Sequence, residues 1–205
     1  MDLVVATRSA HKMSEIRRIL ADVPNLRLLD LDEAGVAYHP DEEDLEPHET
    51  FEENARSKAE HFHRETGLPT VADDSGLAVD ALRGAPGVWS KRYAPVEGLE
   101  GRERDLANNA YLLDRLGDLP PEERTARYVC VAVLVDADRT RVFSGEARGR
   151  ILDRPVGEGG FGYDPLFYDP GVGRTFAEVT QDEKNERSHR GRAFRALAEA
   201  LAREA

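Results

Sequence analysis

Two adjacent acids, Asp73 and Asp74, stand inside the run Val71-Ala72-Asp73-Asp74-Ser75-Gly76-Leu77, with one apolar stretch before them and another after. No other feature constrains the fold as tightly. In extended backbone, neighbouring side chains point to opposite faces, so these two acids are expected to do different work. One ties down structure. The other faces a place where a metal ion or an activated water can sit. A second reading stays open: a side-chain-stabilised turn between two short strands at 70–72 and 77–82.

The pattern around the acids mixes short strands with amphipathic helices. Residues 3–6 read as a buried strand, followed by a helix whose Met13, Ile16, Ile19 and Leu20 share one face. Residues 26–29 read as a second strand. Residues 32–47 are acidic and irregular (Asp41, Glu42, Glu43, Asp44, Glu46), which predicts an exposed loop. Thr50-Phe51-Glu52-Glu53 fits a capping box, opening a helix with Phe51, Ala55, Ala59 and Phe62 on one side. A helix over 102–116 is expected to turn Leu106, Ala110, Leu113 and Leu116 inward. Residues 127–135 read as the longest strand, joined through Asp136-Ala137-Asp138-Arg139 to a partner over 141–151. A second capping-box pattern, Thr180-Gln181-Asp182-Glu183, and a last helix over 189–203 complete the series. The expected fold class is α/β: a central mixed, twisted sheet flanked by helices, in two lobes with an active-site cleft between them, all within one domain spanning 1–205.

With 205 residues, 40% hydrophobic and 33% charged, the chain suits a soluble globular protein. No apolar run approaches a membrane span, and the strand-like start Met1-Asp2-Leu3-Val4-Val5 lacks a basic signal opening, so no membrane and a cytoplasmic setting are expected. The single cysteine, Cys130, lies in an apolar run and reads as a small buried hydrophobe. A net charge of −12 argues against a nucleic-acid polymer as partner. It leaves room for a small phosphorylated ligand, because charges beyond about 8 Å are largely screened at physiological salt.

Four places look like chemistry. Lys58 shares the apolar face of its helix, and only four lysines occur beside 24 arginines. Either its stem packs while its head reaches water, or a compact ammonium is wanted for a phosphate. The segment Thr7-Arg8-Ser9-Ala10-His11-Lys12 joins the first strand to the first helix, where free N–H groups attract anions. Read plainly, it is an N-capped helix with an exposed lysine. Gly159-Gly160-Phe161-Gly162-Tyr163-Asp164-Pro165 lets backbone approach a ligand closely, with Phe161 a flat face for a base and Asp164 a fixed acceptor; a tight loop with an aromatic plug is the rival reading. Finally, Ser188 looks like the cap of the last helix. That puts the cationic His189 and Arg190 in its first turn, against the helix dipole, a hint that they serve another purpose; a solvated charge run over 182–191 is the rival reading.

Taken in order and spacing, these segments resemble the XTP/dITP diphosphatases, also called inosine triphosphate pyrophosphatases. The resemblance covers nearly the whole chain. It runs from the Thr7–Lys12 loop with Glu15, through Phe51-Glu52-Glu53-Asn54-Ala55 with Lys58, to Ala72-Asp73-Asp74-Ser75-Gly76-Leu77. It continues through Gly84-Ala85-Pro86-Gly87, Arg92-Tyr93, Gly160-Phe161-Gly162-Tyr163-Asp164-Pro165, Glu183-Lys184 and Ser188-His189-Arg190-Gly191. It implies hydrolysis of ITP, dITP or XTP to the monophosphate and pyrophosphate, with Mg²⁺ as cofactor, so that altered purines leave the nucleotide pool. Asp74 resembles the general base and a metal ligand, with Glu46 as a second metal-binding acid. Lys58 resembles a catalytic lysine. Thr7, Arg8, Ser9, Ala10, His11, Lys12, Ser75 and Lys184 match substrate contacts. Phe161, Gly162, Tyr163, Asp164, His189 and Arg190 match the base pocket. A homodimer is implied too. Ser9 stands where the family often has asparagine, and Arg8 and His11 where glycines are common.

Two other classes compete: a nucleotide-binding protein that has lost turnover, and a metal-dependent phosphatase that releases orthophosphate from monophosphates.

Overall fold

The computed structural model describes residues 1–203, the side chain of Glu43 excepted; that acid, expected in the exposed loop, thus has its side chain outside the described residues. The strands are β1 (Asp2–Val5), β2 (Arg27–Leu29), β3 (Thr70–Val79), β4 (Thr125–Val135), β5 (Thr140–Ile151), β6 (Phe167–Asp169) and β7 (Arg174–Thr175). The helices are α1 (Ala10–Ile19), α2 (Phe51–Thr66), α3 (Gly101–Leu116), α4 (Gln181–Arg187) and α5 (His189–Ala202). The sheet runs β2-β1-β3-β4-β5-β6-β7. It is mixed, as expected: β1 pairs in parallel with β2 and β3, while β6 pairs antiparallel with β5 and β7. Among the described residues no helix is long and apolar enough to cross a membrane.

The chain divides into two compact units. The first holds Met1–Asp74, Cys130–Gly145 and the chain from His189 onward; the second holds Ser75–Val129 and Glu146–Ser188. In the first unit the two-residue period of the strands builds two cores. Leu3, Val5, Val71, Cys130, Ala132 and Leu134 pack with Met13 and Ile16 of α1 and with Ala193, Phe194 and Leu197 of α5. Their neighbours Val4, Ala6, Ala72, Val133 and Val135 point the other way and pack with Ala55, Ala59 and Phe62 of α2. Each face of the sheet is thus covered by helix. Phe194 is fully buried, and truncating it to alanine should cost about 3–5 kcal/mol. The second unit is centred on aromatic rings: Phe167 lies 4.7 Å from Tyr128 and 4.9 Å from Phe176 between ring centres.

Several local expectations needed correction. The acids do not sit at a turn: β3 runs unbroken through Asp73, Asp74 and Gly76, then ends at Val79 in a 3-10 turn over Asp80–Leu82. The inward face of α3 is rotated. Asn108, Asn109, Leu112 and Leu116 are buried, whereas Leu106 is 57% exposed and Ala110 faces solvent. Apolar spacing missed this because two asparagines occupy the buried stripe; Asn108 accepts the Ala94 N–H and donates to the Ser90 and Lys91 carbonyls, which makes its burial tolerable. β5, with 12 residues, is longer than β4 with 11. The acidic stretch contains a 3-10 segment over Pro40–Leu45, capped by His39. Thr50 does accept the Glu53 N–H, but Glu53 takes the Thr50 hydroxyl in return. The Thr180–Glu183 box forms in full.

Candidate functional site

The alternation along β3 sends Asp73 and Asp74 to opposite faces of the first unit, and each meets a different set of groups. Asp73 points with Val71 toward α1 and α5. There its Oδ2 lies 3.1 Å from Lys12 Nζ and accepts from Arg190 Nη2 at 3.1 Å. Arg190 Nη1 donates to Glu15 Oε2 at 2.5 Å. Glu15 is 3% exposed and Arg190 1%, so these ions survive burial only as a set: Glu15, Arg190, Asp73 and Lys12 alternate in charge. Cys130 Sγ stands 3.8 Å from the same Asp73 oxygen, and burial pushes its thiol far up. Burial alone would raise Asp73 too. Instead the charges of Lys12, Arg190 and Lys58 hold its carboxyl well below the usual carboxylate range.

Asp74 points with Ala72 toward α2. Its Oδ2 accepts from Asn54 Nδ2 at 3.1 Å, and Asn54 in turn holds the His48 N–H at 2.9 Å and its carbonyl at 3.2 Å. Lys58, one turn along α2, donates to the Asp73 carbonyl at 2.6 Å and to the Glu46 carboxylate. The side chain of Lys58 is 12% exposed, so its ammonium is spent on acids and backbone and not on water. Burial pushes Asp74 above the ordinary range; Lys58 and Lys12 pull it back, and the like charge of Glu46 pushes it up again. Lys58 is raised, because Glu46, Asp74 and Asp73 outweigh its own desolvation. The result is two neighbouring carboxyls with opposite tendencies. Asp73 is held as an anion, and Asp74 binds its proton more tightly than an ordinary aspartate.

The strand-to-helix loop is a capped helix start. Ser9 accepts the Lys12 N–H at 3.3 Å, Thr7 Oγ1 accepts the Ser9 N–H at 3.2 Å, Ala10 opens α1 and His11 is exposed. Arg8 is spent within the unit. It donates to both Glu42 oxygens at 2.9 and 2.7 Å, to Asp32 at 2.8 Å and to the Val36 carbonyl at 3.1 Å. Ser188 ends α4 as its C-terminal cap, and His189, the first residue of α5, is buried.

In the second unit Asp164 is the hub. Lys184 Nζ lies 2.7 Å from its Oδ2, the Phe161 N–H donates to that oxygen at 2.9 Å, and Tyr128 O–H donates to Oδ1 at 3.4 Å. Lys184 and Asp164 are both buried, and the Lys184 ammonium sits 4.5 Å from the Phe161 ring centre. Lys184, matched by resemblance to a substrate contact, is therefore paired inside the protein. A Cβ on Gly160 would collide with the Asp164 carboxylate, so glycine there permits the close approach. Tyr163 is buried and donates to the Ser90 carbonyl at 2.9 Å, while Ser75 is half-buried at the start of this unit.

The motif reading thus brings Lys12, Lys58, Asp73, Asp74 and Glu46 together in the first unit, and Phe161, Asp164 and Lys184 together in the second. It gave no role to Glu15 and Asn54 in the first, or to Asp105 and Asn109 in the second. Glu15 carried a signal, an acid beside Ile16 on the buried face of α1. Asn54, an asparagine among the alanines of α2, carried another.

Comparison with known proteins identifies the family. Residues 3–200 match the family model described as the Ham1 family. A dITP/XTP pyrophosphatase of Frankia alni is 50% identical over 202 residues, covering 98% of this chain and 97% of that one. One from Thermus thermophilus is 47% identical over 201 residues, covering 98% and 91%. Among solved structures, a HAM1 protein from Coxiella burnetii superposes with a TM-score of 0.85 at 36% identity over all of both chains. A dITP/XTP pyrophosphatase from Mycobacterium abscessus gives 0.73 at 42% identity, over 96% and 98%. The order of motifs, the α/β sheet and these likenesses over nearly the full length agree: the chain belongs to the Ham1 family.

Proposed function

We propose that this protein hydrolyses hypoxanthine and xanthine nucleoside triphosphates (ITP, dITP and XTP) between the α and β phosphates, releasing the monophosphate and pyrophosphate. The observation that carries the reading is Asp74: a buried carboxyl, raised by desolvation, in the field of two lysines. A carboxylate that binds its proton more tightly than an ordinary aspartate is a stronger base toward water. The names of the relatives support the substrate class.

A triphosphate brings about four negative charges, so catalysis is mostly placement and charge neutralisation. Lys12 and Lys58 supply cations. Asp73, held as an anion by Arg190 and Lys12, fixes the strand on which Asp74 stands. Asn54 aims the Asp74 oxygen, and Asp74 orients and deprotonates the attacking water.

The family resemblance implies Mg²⁺, and the residues fit it. Asp74 and Glu46 are carboxylates close enough to repel one another, a repulsion that a divalent cation relieves. Among the described residues no group of three or more His, Cys, Asp or Glu is arranged to hold a metal. Mg²⁺ asks for less, usually one or two carboxylates together with substrate phosphates. Bound by Glu46 and Asp74, it would neutralise phosphate charge and acidify water.

Base choice falls to the Phe161 loop of the second unit. Hypoxanthine and xanthine carry a 6-oxo acceptor where adenine carries an amino donor, and a site built on that bond can discriminate by roughly 10⁴–10⁵. The test is a panel of ITP, dITP, XTP, GTP and ATP with Mg²⁺, followed for pyrophosphate and orthophosphate. Pyrophosphate from the first three supports the proposal, whereas intact ITP or orthophosphate as first product overturns it. Light scattering on the same sample tests the homodimer.

A further inference from the structure

The Phe161 loop is held from α3 by two residues that neither its motif nor the phosphate chemistry accounts for. Asp105 Oδ2 accepts the Gly162 N–H at 2.8 Å, and Asn109 Nδ2 donates to the Gly162 carbonyl at 3.1 Å. Asp105 and Asn109 are four residues apart, one helical turn, so a single face of α3 grips both polar groups of one residue. Gly162 itself has φ +61, and a Cβ there would meet nothing within 4 Å. Its exposed side is therefore open space, while both its backbone groups are fixed. On the far side of Phe161, the Asp164–Lys184 pair fixes the Phe161 N–H. The ring is anchored at both flanking peptides. Asn109 is 5% exposed, and its Oδ1 has no hydrogen-bond partner among the described residues. A buried amide left half-satisfied is a cost that ordinary packing would avoid.

We infer that Asp105 and Asn109 are positioning residues for nucleobase choice: α3 sets the height and tilt of the Phe161-Gly162 platform on which the purine rests. The inference rests on the proposed function, and it extends that function to residues outside the recognised motifs. It separates holding the platform from touching the substrate. Loss of either grip should loosen base selection while leaving the phosphate chemistry in place, since Asp74, Lys58 and Lys12 belong to other elements.

The test uses the full chain and steady-state kinetics on ITP and GTP. Asn109→Leu keeps the volume and removes the donor. Asp105→Ala removes the acceptor, and Asp105→Asn restores an oxygen to it. Expected for Asn109→Leu and Asp105→Ala is a KM for ITP raised about tenfold with kcat within about threefold of the parent, and an ITP-over-GTP preference narrowed by a similar factor. Asp105→Asn should recover most of both. Amide hydrogen exchange over residues 157–165, measured without nucleotide, should rise in the two damaging variants and reports on the grip whatever the activity. Unchanged KM and unchanged preference in both variants overturn the inference, as does a kcat loss equal on both nucleotides. If Asn109→Leu fails to fold, the Asp105 pair decides the matter alone: equal preference in Ala and Asn variants counts against the inference. If the parent protein leaves ITP uncleaved, the proposed function falls first, and that outcome is seen before any variant is read.

Discussion

The two units bury charge in different ways. In the first, Asp73 alone has Lys12 and Arg190 on one carboxylate oxygen and feels Lys58 as well, while Asp74 and Glu46 share the field of Lys58. In the second, Asp164 meets one lysine, one tyrosine hydroxyl and one peptide N–H, and the neighbouring Gly162 is held by the Asp105 carboxylate and the Asn109 amide. The first arrangement sets charge and proton affinity, and the second sets shape. Substitutions in the first should therefore change turnover on every nucleotide alike. Substitutions in the second should change which nucleotide is chosen.

The sharpest way to break that contrast is Asp74→Asn. The amide keeps an oxygen for Asn54 but cannot take a proton, so kcat should fall by about 10²–10⁴ on ITP, XTP and dITP together. The folded pKa of Asp74 lies above its unfolded value, so between the two values the folded state holds the extra proton and stability declines as pH rises. Above both values the charged, buried carboxyl is a burden that asparagine removes. Melting curves should show the variant no less stable than the parent, with an advantage that disappears at acid pH. A variant that melts well below the parent at pH 7 would show that Asp74 serves structure first.

Next in size is Lys58→Met, with a loss of about 10²–10³ in kcat/KM. Its pH profile is the more telling measurement. Lys58 lowers Asp74 and Glu46 raises it, so the acid limb of kcat/KM should move to higher pH in Lys58→Met and to lower pH in Glu46→Gln. Displacement of both limbs in the same direction would mean that another group than Asp74 governs the profile.

In the second unit, Lys184→Met leaves Asp164 buried without its cation. Removing one partner of such a pair costs about 3–5 kcal/mol, which urea unfolding would measure. The double variant with Asp164→Asn should recover much of that loss, because the uncompensated charge is gone. On the contrast drawn here, the single variant also narrows the preference for ITP over GTP more than it lowers kcat. An equal loss on both nucleotides would assign Lys184 to the phosphates after all.

How much of this could be read from the sequence depended on whether a signal was local. The opposite duties of Asp73 and Asp74 followed from strand alternation alone. The buried side of Lys58 followed from its spacing to Phe62. The unbroken course of β3 did not follow, because Asp, Ser and Gly favour turns, and only tertiary partners make a buried Asp-Asp step tolerable in a strand. Arg190 was noticed as a cation against a helix dipole, but its partner Glu15 lies 175 residues away and no local rule joins them. Asn109 was invisible for the opposite reason. A polar residue outside the apolar stripe reads as solvent-facing, and what it holds is a peptide group, which leaves no trace in side-chain patterns.

The smallest expected effect belongs to Arg8, and it separates resemblance from structure. By its place in the Thr7–Lys12 loop it is matched to the substrate. In the structure its guanidinium is shared among Glu42, Asp32 and the Val36 carbonyl. Asp32 is 87% exposed at the side chain, so that arm adds little, whereas Glu42 is 11% exposed and takes two hydrogen bonds in parallel. Arg8→Ala should therefore cost about 1 kcal/mol of stability, and should raise the KM for ITP by less than about threefold. Residues 32–46, tied to the loop through Arg8, should become easier to cleave by a protease. Because Glu46 ends that stretch, any loss of activity in Arg8→Ala should shrink as Mg²⁺ is raised. A KM increase of tenfold or more that Mg²⁺ leaves unchanged would instead put Arg8 on the phosphates, and the ion pairs to Glu42 and Asp32 would then describe only how the side chain rests when no nucleotide is bound.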